Sequence, residues 1–148
     1  MFRKIKRGEH KEVAKLLNKS WKSRRYKDAE KYIAKGHSIE IIDDQFFVFE
    51  NYKGDIVGII GVVLYYGGVA ELRDLVIDGK YRGLGYSTQM LERAIGYCSS
   101  NKIRKVYGYV RYQDEGLLKS LGFHVEGVLK NHFVDGEDLL ILSKFLFP

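Results

Sequence analysis

The first residues with chemistry in their spacing are Gly79-Lys80-Tyr81-Arg82-Gly83-Leu84-Gly85, followed by Tyr86, Ser87 and Thr88. Leu75-Val76-Ile77-Asp78 in front of them reads as the end of a strand, and the apolar spacing behind them predicts a helix. A helix start presents unpaired backbone N–H groups and a partial positive charge, so it suits an anion. Glycine at 83 and 85 removes the Cβ that would hold ligand oxygens away. Ser87 and Thr88 add hydroxyl donors, and Arg82 adds a cation that can pair with phosphate. The same pattern also serves as a plain turn. It is neither a Walker loop, which needs Gly-Lys-Ser/Thr, nor a three-glycine dinucleotide fingerprint.

Basic charge is the second concentration of chemistry. Residues 1–35 carry 13 Lys and Arg against 4 Asp and Glu, whereas the remainder carries 12 against 15. The whole excess behind the net charge of +6 therefore sits in the first quarter. It is densest from Lys19 to Lys27, where Lys22, Arg24 and Arg25 lie between Trp21 and Tyr26. Basic residues mixed with aromatics can grip phosphate or an acidic partner, and a solvated helix face is the plainer alternative. Histidines at 10, 37, 124 and 132 have no metal-ligand spacing, so no metal site is expected. The lone Cys98 cannot close an internal disulfide and reads as a small core residue rather than a nucleophile.

Elements to position these residues follow from the pattern. Phe2 to Lys6 predicts an edge strand, Glu9 to Ser20 a first helix, and about Arg25 to Ala34 a second helix ended by Gly36. Gln45 to Glu50 and Ile56 to Tyr66 predict a hairpin around the Asn51–Asp55 turn, and Gly67-Gly68 leads into a strand over Val69 to Asp78. The helix after the glycine turn runs to about Ser100, with Tyr86, Met90, Leu91, Ala94, Ile95 and Cys98 on one face. Lys105 to Val110 predicts a buried strand and Asp114 to Leu121 a short helix closed by Gly122. The tail predicts a hairpin of Phe123 to Phe133 and Leu139 to Phe147.

The length of 148 residues suits one domain over 1–148. Apolar runs fall short of the ~20 residues that span a bilayer, and the basic start has no apolar stretch behind it. A cytoplasmic setting without membrane contact is the default expectation.

Leu75 to Ser87 resembles motif A of the GNAT acetyltransferase superfamily: Arg or Gln, two residues, Gly, one residue, then Gly or Ala. Arg82 and Gly85 fit, Ser87 stands in for the last small residue, and Gly79 sits where the family often has Pro. The element order β-α-α-β-β-β-α-β-α-β-β is similar to the family's across nearly the whole chain, and Leu121-Gly122-Phe123 resembles the end of its fourth helix. The resemblance implies a mixed α/β (α+β) domain. Its central sheet would be mixed, mostly antiparallel, of about seven strands, flanked by about four helices.

The resemblance also implies roles. Acetyl-CoA would be the co-substrate, its pantetheine paired with Leu75, Val76 and Ile77 where a bulged strand splays from its neighbour. Its pyrophosphate would rest on Arg82, Gly83, Leu84, Gly85, Tyr86, Ser87 and Thr88. Glu71 stands where histone-type members place a catalytic glutamate, and an ion pair with Arg73 on the same strand face is the alternative. The family's helix-four tyrosine is replaced by Leu118, which cannot donate a proton, so Tyr109 and Tyr112 become candidates for the acid. Trp21, Arg25, Tyr26 and His132 would border the acceptor.

The expected reaction is direct acetyl transfer to a primary amine. The basic rim favours an acidic peptide or a ribosome-associated protein, at an N-terminus or a lysine, and a homodimer is one arrangement to test. Other readings stay open: a small-molecule amine acetyltransferase, a non-catalytic acyl-CoA-binding sensor or partner subunit, and a nucleic-acid-binding module.

Overall fold

A computed structural model of the chain describes residues 1–20, 29–36 and 40–147. The chain forms two compact units, Met1–Ile42 and Asp43–Pro148.

In the first unit a 3-10 turn, Arg7–Glu9, leads into α1, His10–Ser20, and α2 follows at Ala29–Lys35. The expected edge strand at Phe2 to Lys6 is not formed; these residues have no regular structure. Their backbone is fixed locally instead. Glu9 takes both Arg3 guanidinium nitrogens at 2.7 and 3.0 Å and the Lys6 N–H at 2.8 Å, so Lys6 caps a turn rather than a ladder. Ala14 is the buried residue of α1, on its apolar face. Gly36 takes a φ of +72° just past α2, as a helix-ending glycine should.

The second unit is built on one sheet of six strands rather than about seven: β1 (Ile41–Glu50), β2 (Ile56–Tyr65), β3 (Val69–Ile77), β4 (Lys105–Arg111), β5 (His124–Leu129) and β6 (Leu139–Phe145). Their order in space is β1-β2-β3-β4-β6-β5; the β3–β4 pair is parallel, and β2–β3, β4–β6 and β5–β6 are antiparallel. β1 starts earlier than its apolar run suggests. Asp43, a poor strand residue, is held there by the Tyr97 hydroxyl at 2.6 Å. Asn51 shapes the first hairpin, its side-chain oxygen accepting from the N–H groups of Lys53 and Asp55.

Two helices complete this unit, α3 (Tyr86–Ser100) and α4 (Glu115–Ser120). Alternation along the strands turns Ile60, Val62, Leu64, Ala70, Leu72, Val106, Leu140 and Leu142 to one face. There they pack with Met90, Leu91, Ala94 and Cys98 of α3 and with Leu118 of α4 as one core. The opposite face carries Tyr65, Glu71, Arg73, Tyr107 and Tyr109.

Candidate active site

A site opens where the parallel pair ends. β3 and β4 are in register from Val69 with Lys105 to Leu72 with Gly108, and pairing stops there. At that last pair an added Cβ on Gly108 would sit 3.2 Å from the Leu72 carbonyl, tighter than most Cβ contacts. Beyond it, β3 bulges. Ile59 of β2 faces Val76 and Gly61 faces Arg73, so two steps on β2 span three on β3. Asp74 absorbs the extra residue with φ at +52°, a conformation Asp accepts more readily than branched residues.

The result is a cleft of about 700 Å³, within the size range of small-molecule sites. Leu75, Val76 and Ile77 form its β3 wall, Tyr109 to Arg111 its β4 wall, and Leu117 and Leu118 close it from α4. Arg82 and Ser87 stand at the mouth by α3. Because Arg73 and Tyr109 belong to one face of the sheet and Leu72 and Leu118 to the other, the cleft passes between faces.

At the α3 end, Gly83 and Gly85 have φ of +75° and +82°. A Cβ at either position would meet no protein atom within 4 Å, so conformation, not crowding, calls for glycine here. Gly85 caps α3 without any side-chain hydrogen bond, leaving the first-turn N–H groups open to an anion. Arg82 is anchored by its Nε to the Ile77 carbonyl at 3.3 Å, which holds its charge beside that turn. Tyr86 turns inward against Phe49 and Tyr81, so only its backbone faces the turn. Donors, an apolar slot and an unpaired strand edge fit a long, anionic, amide-bearing ligand such as coenzyme A.

Glu71 lies one residue before Leu72, where the cleft lining begins on β3, and is 5% exposed. Its Oε2 accepts from the Tyr65 hydroxyl at 3.0 Å and the Tyr107 hydroxyl at 3.3 Å. Its Oε1 pairs with Arg73 Nε at 3.5 Å, so the expected ion pair is present together with two phenols. Burial first, then the Glu71 charge, pushes the Tyr107 hydroxyl far above the usual tyrosine range. Burial and Glu71 raise Tyr65 as well. Both phenols therefore stay protonated donors. Among the described residues no buried side-chain polar atom lacks a partner.

The remaining candidates divide. His132 is exposed but stacks on Tyr109, which lines the cleft. Tyr112 lies in the 3-10 turn Tyr112–Asp114, about half exposed and outside the cleft lining, whereas Tyr109 is inside it. Leu118 is buried in the lining, where it supplies an apolar wall. Trp21, Arg25 and Tyr26 lie outside the described residues. Sequence reading overlooked Tyr65 and Tyr107. The period-two parity around the Gly67-Gly68 turn, which faces Val63 to Glu71, would have put Tyr65 beside Glu71.

Among the described residues, no group of three His, Cys, Asp or Glu side chains is placed to hold a metal. Nor is any helix among them long and apolar enough to cross a membrane.

Solved structures share the fold. An acetyltransferase from Bacillus cereus superposes with a TM-score of 0.65 at 18% identity, over 99% of this chain and 97% of that one. A dodecameric spermidine N-acetyltransferase from Vibrio cholerae does so with a TM-score of 0.64 at 20% identity, over 95% and 90%. The spermidine/spermine N-acetyltransferase SpeG from the same organism, in complex with manganese ions, gives 0.64 at 22%, over 97% and 90%. At such identities these likenesses speak to the fold. No curated protein matches the sequence significantly. The family profile described as acetyltransferase (GNAT) family matches residues 10–123, most of the chain, and the chain belongs to that family.

Proposed function

We propose that the protein is an acetyl-CoA-dependent N-acetyltransferase acting by direct transfer to a primary amine. The observation that carries this reading is the splayed β3–β4 cleft, with the uncapped start of α3 at one end and the Tyr65–Glu71–Tyr107 cluster beside the other. Acetyl-CoA supplies an activated thioester carbonyl. The N–H groups from Gly83 to Thr88 and the Arg82 guanidinium bind its pyrophosphate, and Leu75 to Ile77 pair with its amides.

An amine with a pKa near ~10.4 arrives as an ammonium and has no lone pair to attack with. Glu71 takes one proton from it, through a bridging water because the carboxylate is buried. In the transfer an N–C bond forms, the C–S bond breaks, the surplus amine proton goes to the thiolate, and Glu71 returns its proton to solvent. With leucine at position 118, water or Tyr109 relays that surplus proton to the thiolate, Tyr109 regaining from the amine the proton it gives up.

The acceptor we favour is acidic: a peptide N-terminus or lysine, ribosome-associated proteins included. Arg73, Arg82 and Arg111 line the cleft against Asp74 and Asp114, and the first 35 residues carry 13 basic against 4 acidic side chains. That charge disfavours a polyamine, although the SpeG proteins share the fold. Calorimetry tests the cofactor reading, with acetyl-CoA as ligand and ATP as control. Binding on the order of micromolar, lost in an Arg82→Ala/Gly85→Glu variant, is expected. No binding of acetyl-CoA would end it. A Lys22→Ala/Arg24→Ala/Arg25→Ala variant that acetylates acidic peptides at the full rate would end the acidic-acceptor reading.

A further inference from the structure

We propose that Tyr65 and Tyr107 are positioning residues that decide which oxygen of Glu71 does the proton transfer. This rests on the reading of Glu71 as base. The two oxygens are in unequal surroundings. Oε2 takes both phenol hydroxyls, at 3.0 and 3.3 Å, in a position where Glu71 is almost wholly buried. Among the described residues Oε1 has one partner, Arg73, at a long 3.5 Å, and the Arg73 side chain is half exposed. An ion pair of that kind contributes little and gives way easily. The phenol bonds are charge-assisted and shielded, so they hold.

Three strands converge to build the arrangement. Tyr65 is the last residue of β2, Glu71 is on β3, and Tyr107 is paired with it across the parallel ladder on β4. The Tyr107 ring is held in turn by the Tyr109 edge, with centroids 5.9 Å apart. The carboxylate is thus pinned from both neighbouring strands, with Oε1 on the side of Arg73, a cleft-lining residue. The ammonium gives one proton to Oε1 through the bridging water. That leaves a neutral amine and a neutral carboxyl, and both phenols keep their own protons.

The test is a thermodynamic cycle on turnover, read as thiol release from acetyl-CoA. Its acceptor is the best of a panel of acidic-first peptides, lysine peptides and spermidine. Tyr65→Phe and Tyr107→Phe keep the rings and remove only the hydroxyls. Each is expected to lower kcat roughly tenfold, with acceptor KM and acetyl-CoA Kd within about twofold of the parent. In a Glu71→Gln background the same changes are expected to cost nothing further, because the phenols act only through the carboxylate. A double Phe variant with full kcat overturns the proposal. So do losses that persist undiminished in the Glu71→Gln background. Glu71→Gln at the parent rate would instead refute the base reading itself, whatever the tyrosine variants do.

Discussion

The Tyr109 ring lies against the imidazole of His132, with centroids 6.1 Å apart and planes 29° from parallel. His132 also meets Phe133 edge-on at 4.5 Å, and Tyr109 and Phe133 both line the cleft. The long β5–β6 connection thereby adds an aromatic wall to the cleft. An aromatic contact of this kind is worth about 0.5–1.5 kcal/mol. His132→Ala is therefore expected to raise acceptor KM several-fold while the calorimetric affinity for acetyl-CoA stays unchanged. A change in acetyl-CoA affinity instead would remove His132 from the acceptor side.

Two alanine substitutions on α3 should move stability in opposite directions. Gly85 sits at φ +82°, where a Cβ costs about 1–2 kcal/mol, so Gly85→Ala lowers the Tm by several degrees. Under the proposed function it is also expected to weaken acetyl-CoA binding. Gly96 lies inside the helix with open space around an added Cβ, so Gly96→Ala raises stability by up to about 1 kcal/mol. Calorimetric melting of the two variants checks both signs.

Cys98 is fully buried, and that burial pushes its thiol up to about 11. The thiolate is scarce at neutral pH, so a disulfide reagent is expected to leave the native protein unmodified. Full reaction should appear only in denaturant. Rapid labelling of native protein at neutral pH would show that α3 opens on the timescale of the reaction.

The Glu126 carboxyl is held below its ordinary 4.5, first by Lys105 and then by the Ser143 hydroxyl, at 2.6 and 2.7 Å. A depressed carboxyl contributes stability that is fully present above the unfolded value. The contribution is lost as pH falls through the lower folded value. Melting temperature should therefore drop on acidification below about 4.5, more steeply in the parent than in Glu126→Gln. Equal slopes would mean that this partly exposed pair contributes nothing measurable.

Much of the glycine turn into α3 was legible in the sequence because it depends on local signals. Glycines at fixed offsets, an arginine and the onset of 3.6-residue periodicity mark the turn into α3 without reference to anything distant. Glu71 was named as well, but its setting was not, since two of its partners come from β2 and β4 and depend on sheet register. The edge strand expected at Phe2 to Lys6 failed for a related reason. Its alternating residues lacked a ladder, and Glu9 offered the backbone a closer partner. Tyr112 and Tyr109 could not be separated by counting along the chain. Tyr112 falls in the turn after β4, while Tyr109 remains on the strand.

Only four residue pairs join β3 to β4, from Val69–Lys105 to Leu72–Gly108. These four pairs are the sole ladder between the three-stranded half β1-β2-β3 and the half made of β4, β6 and β5. The seam that makes room for a ligand is thus shorter than the β2–β3, β4–β6 and β5–β6 ladders, and its unpaired amide hydrogens should exchange early. A ligand lying in it would replace the missing ladder with its own contacts, stitching the halves together. Occupancy would then be felt as slower exchange along both strand edges and as resistance of the whole sheet to unfolding.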